Sequence, residues 1–456
     1  VPDYTPHTPE EIDEMLAFLG IESEVELFAA IPLALQVAGG LALPQGMSEP
    51  DVTDAMLAYA AKNAGASSFV CFAGGGAYDH EIPPVVKALG SRSEFVTAYT
   101  PYQPEVAQGV LQAIFEYQTL IARLAGLPIA NASLYDGATS LVEAVNLAVA
   151  GSRRATVWMS AGVHPHWRQT VSTFARGTSH NIVDAPLIDG RTDFSGLDSS
   201  EAPGVIVVGS PNYLGVIEDL DAVRALCDQH GALMVVAADP VMSSVLRTAG
   251  SRGADVVVGE GQPFGTPLSF GGPYLGLFAC TSEQIRRLPG RLVGETVDEE
   301  GRRAFVTTLR AREQDIRREK ATSNVCSNQT LMAVVAAIQL AWLGTEGLAE
   351  IATRCVNATR YLAEQVTTIE GVRLLLPNHA PARDVAVVVP LEASLVLERL
   401  GEEGFLGGLA IESLTQEGDL SIDPDLRSRT ILMSATERRT KKEIDDFVRA
   451  LAKAVV

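Results

Sequence analysis

The sequence has little of what marks several protein classes. Its 456 residues hold five cysteines, Cys71, Cys227, Cys280, Cys326 and Cys355, with no C-x-x-C spacing. That scatter excludes a disulfide-stapled framework and a cysteine-based zinc site, and it predicts reduced thiols. Positive charge is scarce: 35 Lys and Arg face 56 Asp and Glu, a formal charge of -21. A surface of that sign repels phosphate backbones and anionic lipid, so neither nucleic acid nor a membrane is an expected partner. No unbroken apolar run approaches the roughly 18 residues that cross a bilayer. The opening Val1-Pro2-Asp3-Tyr4 has neither a basic n-region nor an apolar h-region, so no secretory signal is expected. Internal repeats and low-complexity linkers are absent too. A soluble, cytoplasmic protein is the expectation.

What remains is globular in composition, 47% hydrophobic and 20% charged, and long enough for two or three cores. Thr8-Pro9-Glu10-Glu11 reads as a capping box with Pro at the first helical position, followed by Ile12, Met15, Leu16 and Leu19 at helical spacing until Gly20. A second amphipathic stretch runs from Asp51 to Asn63, and residues 1–102 read as an N-terminal helical arm with loops. From 103 to 344 the pattern changes. Thr156–Met159, Gly204–Val208, Leu233–Ala238, Ala254–Val258 and Tyr274–Ala279 look like buried strands, with helices expected at 105–125, 138–150 and 221–230. Continuous apolar strands between helices predict a large, mostly parallel sheet covered on both faces. Residues 345–456 predict a smaller C-terminal α/β domain: helix 345–369, strand Val385–Val389, helix 392–401, strand Thr430–Ser434 and a final helix from about 440.

Open α/β sheets bind ligands at the carboxyl ends of their strands. Asp239 follows Leu233–Ala238 directly, where a carboxylate serves to protonate a pyridinium nitrogen; equally, it caps a helix beginning at Pro240. Ser133-Leu134-Tyr135-Asp136 leads into Thr139 and Ser140 at a helix start, a natural anion seat. Asp136 at that start favours an internally capped helix over a phosphate cradle. After strand Ala254–Val258 comes Gly259-Glu260-Gly261-Gln262, in a stretch without lysine. The chain has six lysines, Lys62, Lys87, Lys320, Lys441, Lys442 and Lys453, and none lies between Asp239 and the strand at 274. Lys320, within an arginine-rich stretch, is a poor amine for a Schiff base, which counts against a stand-alone pyridoxal enzyme.

Other features read more plainly. His164-Pro165-His166 is an i, i+2 pair without a third ligand, so no metal is expected. Gly74-Gly75-Gly76 lacks a nucleotide-loop continuation and reads as a turn. Residues 302–320 gather Arg302, Arg303, Arg310, Arg312, Arg317, Arg318 and Lys320 against Glu313, Asp315 and Glu319. That segment either docks an anionic partner or forms a solvated helix with i,i+4 pairs.

Several motifs together resemble one family, the glycine cleavage system P-protein. They are Ser91-Arg92-Ser93-Glu94-Phe95, Tyr99-Thr100-Pro101-Tyr102-Gln103-Pro104-Glu105 with Gln108-Gly109, and Gly126-Leu127-Pro128-Ile129-Ala130-Asn131-Ala132-Ser133. Gly259-Glu260-Gly261-Gln262 with Gly271-Gly272-Pro273, and Arg317-Arg318-Glu319-Lys320-Ala321-Thr322-Ser323-Asn324, continue the match. The opening Tyr4-Thr5-Pro6-His7-Thr8-Pro9-Glu10 and the late Thr436-Glu437-Arg438-Arg439-Thr440 extend it over nearly the full length. Length, motifs and missing lysine resemble the first, or alpha, subunit of the two-subunit form.

The resemblance implies a fold-type-I pyridoxal-phosphate-enzyme architecture and a part in glycine decarboxylation, with transfer of the aminomethyl group to the lipoyl arm of the H-protein. It implies an alpha2beta2 assembly in which the beta subunit holds the pyridoxal phosphate. Matching Phe264 and Pro267 to the family's Phe and Pro puts Gln262 at the Schiff-base lysine, leaving Asp239, Asp136 and Thr139 as vestiges of a cofactor site. Tyr102, Glu105 and Gln108 are then expected to support the active site of the partner, or else to shape a loop before helix 105–125. A scaffold that only docks the H-protein through 302–320 is the competing expectation.

Overall fold

The computed structural model describes residues 6–37, 41–63, 65, 68–198, 200–321, 323–415, 420 and 422–456. Val1 to Thr5 and Thr322, quoted above, lie outside the described residues. Backbone contacts divide the chain into two units, 1–64 and 65–456.

In the first unit, helix Pro9–Leu19 begins with the expected capping box. The Thr8 hydroxyl accepts from the Glu11 N–H, the Glu11 carboxylate accepts from the Thr8 N–H at 2.8 Å, and Gly20 ends the helix in a left-handed conformation. Helix Glu49–Ala60 starts from Ser48, whose hydroxyl accepts from the Asp51 N–H. No residue of either helix is buried.

The second unit is built on a seven-stranded sheet in the order Ile129–Ala130, Gly276–Cys280, Val256–Glu260, Leu233–Ala238, Val205–Ser210, Thr156–Ser160, Asn181–Ala185. The last five strands run parallel, and the first two are antiparallel to their neighbours. Side chains alternate between two apolar layers, as strand geometry requires. Trp158, Ile206, Val208, Val236 and Val257 face one layer with helices Gln108–Ala125, Leu220–His230 and Thr330–Val366. Val157, Val205, Val207, Val235 and Val258 face the other with Leu141 and Val145 of helix Gly137–Ser152. This doubly covered sheet is the fold expected from the alternating pattern. Helix Pro165–Thr178 and edge strand Asn181–Ala185 were not expected; the helix is mostly polar and buries only Pro165, Arg168, Val171 and Ala175, and the strand exposes Asn181 and Asp184.

The arginine-rich segment is not one solvated helix. Arg303–Thr307 is a strand paired antiparallel to Val293–Val297, followed by short turns at Arg310–Arg312 and Gln314–Arg317. Thr330–Val366 is one long helical stretch interrupted at Gly344 (φ 62°), close to where helix 345–369 was expected to begin. Residues 330–345 carry no charge, and the helix has the length and composition of a membrane span. The reason lies in packing: Ala333, Val334, Ala336, Ala337 and Leu340 are buried in this unit.

C-terminal to it, an antiparallel sheet in the order Arg373–Leu374, Asp384–Val388, Thr430–Ser434, Leu409–Ala410 packs with helices Ala393–Glu402 and Lys441–Ala454. The short strand Val70–Cys71 joins this region by pairing with Phe405–Leu406. Its neighbour Phe72 donates its N–H to the Leu406 carbonyl at 2.7 Å, and its own carbonyl accepts the Ser434 N–H at 2.8 Å. The Phe72 ring stacks on Phe447 with centroids 4.2 Å apart, and both side chains are fully buried. Phe72→Ala therefore empties the centre of this core. Loss of about 3–5 kcal/mol is expected, read as a lower urea midpoint for the purified chain; an unchanged midpoint would contradict the packing.

Candidate active-site cleft

The carboxyl ends of the parallel strands open into one cleft with about 680 Å³ of empty space, part of it open to solvent. Four of the five contribute through residues at or just beyond their ends: Gly162 and His164 after Thr156–Ser160, Asn212 and Tyr213 after Val205–Ser210, Asp239 after Leu233–Ala238, and Glu260 and Pro263 at the end of Val256–Glu260. Two groups come from elsewhere in the chain. Tyr78 arrives on the loop behind Gly74-Gly75-Gly76, and Arg383 and Asp384 lead into the central strand of the C-terminal sheet.

Arg383 occupies the middle of this arrangement and is 2% exposed. Its guanidinium pairs with the Asp239 carboxylate, donates to His80 Nε2 at 2.8 Å, and lies 3.3 Å from the centroid of the Tyr78 ring. Burial opposes the charge, but Asp239 and the neighbouring acidic groups outweigh it and keep Arg383 protonated. Tyr78 in turn donates its hydroxyl to Asp384 at 2.8 Å, and burial pushes the Tyr78 hydroxyl and the Asp384 carboxyl both upward. The glycine run is more than a turn. At Gly74 an added Cβ would lie 2.5 Å from Ser434 and 2.7 Å from Asp384, and Gly75 (φ 68°) gives its N–H to Asp384 at 3.3 Å.

His80 is locked in one tautomer. Arginine can only donate, so Nε2 accepts and Nδ1 carries the proton that goes to Glu437 at 2.7 Å. Cys355 completes a trio with His80 and Glu437 that has metal-ligand chemistry. The geometry argues against an ion there, because metal binding through Nδ1 would require Nε2 to donate against the Arg383 N–H. Burial pushes the Cys355 thiol up, further from a ligating thiolate. His164 spends both nitrogens as well: Nε2 meets the Gly75 carbonyl at 2.7 Å, and Nδ1 accepts the His166 N–H at 3.1 Å. Burial lowers its pKa to about 4, so it stays neutral.

The residues singled out from the sequence fall into two places. Asp239 lines the cleft, and its Oδ1 accepts the N–H groups of Val241 and Met242, so it does cap the turn after its strand. Asp136 caps helix Gly137–Ser152 through the Thr139 N–H at 2.8 Å. Gln262 is 1% exposed and fully bonded: its Oε1 accepts the Tyr78 N–H at 2.9 Å, and its amide donates to the carbonyls of Tyr78 and Thr266 at 3.0 and 2.8 Å. Tyr102, Glu105 and Gln108 do not line the cleft. Tyr102, 55% exposed, borders a separate surface cavity with Arg291, Glu313 and Cys326, and its hydroxyl accepts from Arg291 at 3.2 Å. Glu105 is exposed on the turn Pro104–Val106. Gln108 is bonded to the backbone of Phe305 in both directions at 2.9 Å, as a strand partner would be.

Sequence reading missed Arg383, Tyr78, His80 and Glu260. The signal for the first was there, an Arg-Asp pair set immediately before the apolar run Val385–Val389, where charge is expensive unless partnered.

Glu437 carries a measurable consequence. Burial pushes its carboxyl up, but the hydrogen bonds from His80 and from the Glu81 N–H at 2.8 Å more than offset this and hold it at about 2. A carboxylate depressed in the folded state stabilises the fold above its unfolded pKa, and that contribution fades as pH falls from about 4.5 towards 2. At most about 3 kcal/mol is involved. Glu437→Gln is expected to lower the thermal midpoint at pH 7 and to flatten its fall across that acid window; parallel curves for the two proteins would remove Glu437 from the acid response.

Comparison with known proteins adds the family. A family model described as the glycine cleavage system P-protein matches residues 2–404. The chain is 43% identical over 448 residues to a probable glycine dehydrogenase (decarboxylating) subunit 1 of Prosthecochloris aestuarii, covering 98% of each chain. It superposes with a TM-score of 0.90 on a crystal structure of glycine decarboxylase (P-protein) of the glycine cleavage system in inhibitor-bound form, at 43% identity and over 99% of this chain and 100% of that one. Lactobacillus brevis glutamate decarboxylase, 14% identical with a TM-score of 0.66 over 95% of this chain, shares the fold alone. The architecture is that of the fold-type-I pyridoxal-phosphate enzymes, and the chain belongs to the glycine cleavage system P-protein family, matching its subunit 1 members along nearly its whole length.

Proposed function

We infer that this chain is the subunit without the Schiff-base lysine in a two-subunit glycine decarboxylase. In this reading a partner subunit carries pyridoxal phosphate and decarboxylates glycine, the aminomethyl group passes to the lipoyl arm of an H-protein, and this chain completes the partner's site. Gln262 carries the inference. A primary amine is indispensable for holding the cofactor as a Schiff base, and at the matched position stands a carboxamide. Gln262 is buried, and its side chain both accepts the Tyr78 N–H and donates to the carbonyls of Tyr78 and Thr266, a pattern that a lysine ammonium, which only donates, cannot reproduce.

Tyr102 and Glu105 are the groups best placed to reach a partner. The Tyr102 ring stands between two guanidinium groups, Arg291 at 5.4 Å and Arg310 at 5.8 Å, which hold it outward without burying it. Gln108 positions the loop rather than touching substrate, since its amide is already bonded to Pro104 and Phe305. The competing reading, an H-protein dock on 302–320, loses much of its free charge. Arg302 pairs with Asp298 and Glu300, Arg303 with Glu295, Arg310 with Asp315, and Arg312 is drawn inward to the carbonyls of Leu288 and Gly290.

Visible absorbance with added pyridoxal phosphate, before and after borohydride, tests the assignment. No reducible band is expected from this chain alone, and one is expected when the lysine-bearing partner is present; a band from this chain alone would sink the reading. In the assembled complex Tyr102→Phe and Glu105→Gln are each expected to slow glycine–bicarbonate exchange about tenfold, near 1.4 kcal/mol of barrier. Unchanged exchange in both would retire the part given to this loop.

A further inference from the structure

The amine is not the only recognition group missing from the cleft. A pyridoxal phosphate pocket also needs a carboxylate with a free oxygen for the pyridine nitrogen and unpaired N–H groups for the phosphate. Here Asp239 has both oxygens committed, Oδ1 to the N–H groups of Val241 and Met242 at 2.9 and 3.1 Å and Oδ2 to Arg383. At the start of helix Gly137–Ser152, the Gly137 N–H goes to Glu260 at 3.0 Å and the Thr139 N–H to Asp136 at 2.8 Å. Glu260 is 8% exposed and is held in place by the N–H groups of Gln262 and Leu275 at 2.9 and 3.0 Å. A Cβ at Gly137 would overlap the Trp167 ring, so the indole covers the same end of the helix. The residues present do not fit the cofactor.

We propose that the chain closes its own degenerate pocket to pyridoxal phosphate, with Arg383 in the place of the pyridinium nitrogen and Glu260 and Asp136 in the place of the phosphate, and that Arg383 thereby latches the C-terminal sheet to the end of the large sheet. Arg383 immediately precedes strand Asp384–Val388 of one sheet, and Asp239 immediately follows strand Leu233–Ala238 of the other. The guanidinium is the counterpart of a pyridinium in charge and in planar donor geometry, and it is supplied from within the chain. At the helix start Glu260 and Asp136 accept the N–H groups of Gly137 and Thr139, for which a phosphate would have to compete. The proposal rests on reading Gln262 as the site of the missing lysine, and it goes further: restoring the lysine does not restore the site.

The test is Gln262→Lys, incubated with pyridoxal phosphate, reduced with borohydride and digested, with the peptide containing position 262 weighed. The natural chain, treated in parallel, accounts for adducts at its other lysines. No adduct at 262 is expected. A stoichiometric one would overturn the plug while leaving the supporting-subunit reading intact, because the natural chain would still lack an amine there. A second arm does not depend on that variant folding. Millimolar inorganic phosphate or pyridoxal phosphate is expected to leave the thermal midpoint of the natural chain unmoved, and a saturable rise with either would overturn the plug. Arg383→Met keeps length and removes charge, leaving Asp239 buried without its partner; a fall of about 5–10 °C in midpoint is expected. A midpoint within about 1 °C of the natural chain's would overturn the latch.

Discussion

A guanidinium buried to 2% exposure is the constraint around which this cleft is arranged. Removing a charge from water costs several kcal/mol unless an opposite charge and further hydrogen bonds replace the solvent. Asp239 supplies the opposite charge, His80 an acceptor lone pair and Tyr78 the face of a ring. Those demands propagate. The acceptor role of His80 Nε2 fixes the proton on Nδ1, that proton goes to Glu437, and Glu437 then takes the Glu81 N–H. Tyr78 spends its hydroxyl on Asp384. Asp79, between Tyr78 and His80, pairs with Arg438 and Arg439 beside Glu437. The loop 78–81, the start of strand Asp384–Val388 and the segment after Thr430–Ser434 therefore have one mutually compatible arrangement, set by where one charge has to sit.

The large fold was legible because it is written in local terms. Buried parallel strands bear side chains of one kind on both faces, and Val205–Ser210 or Leu233–Ala238 announce themselves as unbroken apolar runs. Capping chemistry is equally local, and Thr8, Asp136 and Thr440 each accept the N–H three residues on. Reading failed where an element is short, polar or at an edge. Strand Asn181–Ala185 borders the sheet and keeps Asn181 and Asp184 on its exposed positions, so no periodicity marks it. The arginines of 302–320 have the density of a solvated helix, yet Arg303 answers Glu295 across a hairpin, and nothing in a single stretch shows which distant strand will pair with it.

The cleft divides along the same line. Asp239 was found because it follows an apolar strand, where α/β ligand sites form, and Gln262 through the family resemblance, by matching Phe264 and Pro267. Arg383 is 144 residues from Asp239, and Tyr78 is 306 from Asp384; such partners are set by the packing of two sheets and not by spacing. Glu260 is harder still to see, since it sits inside a strand-end motif of glycines and reads as one more polar loop residue. Only the fold reveals that its carboxylate reaches the first N–H of a helix 123 residues away.

The way the pocket is degenerate bears on why it persists. A site built for a dianionic phosphate and a protonated ring has a helix N-terminus and a strand-end carboxylate facing each other across a gap. Emptied, it would leave buried N–H groups and a buried negative charge without partners, each costing about 1–3 kcal/mol or more. Such a pocket is stable only if something fills it. Asp136 and Glu260 accept N–H groups of the helix, and Arg383 answers Asp239 with a cation. The Arg383–Asp239 pair joins two sheets, and a subunit held together in this way can present an exposed group such as Tyr102 at a fixed place.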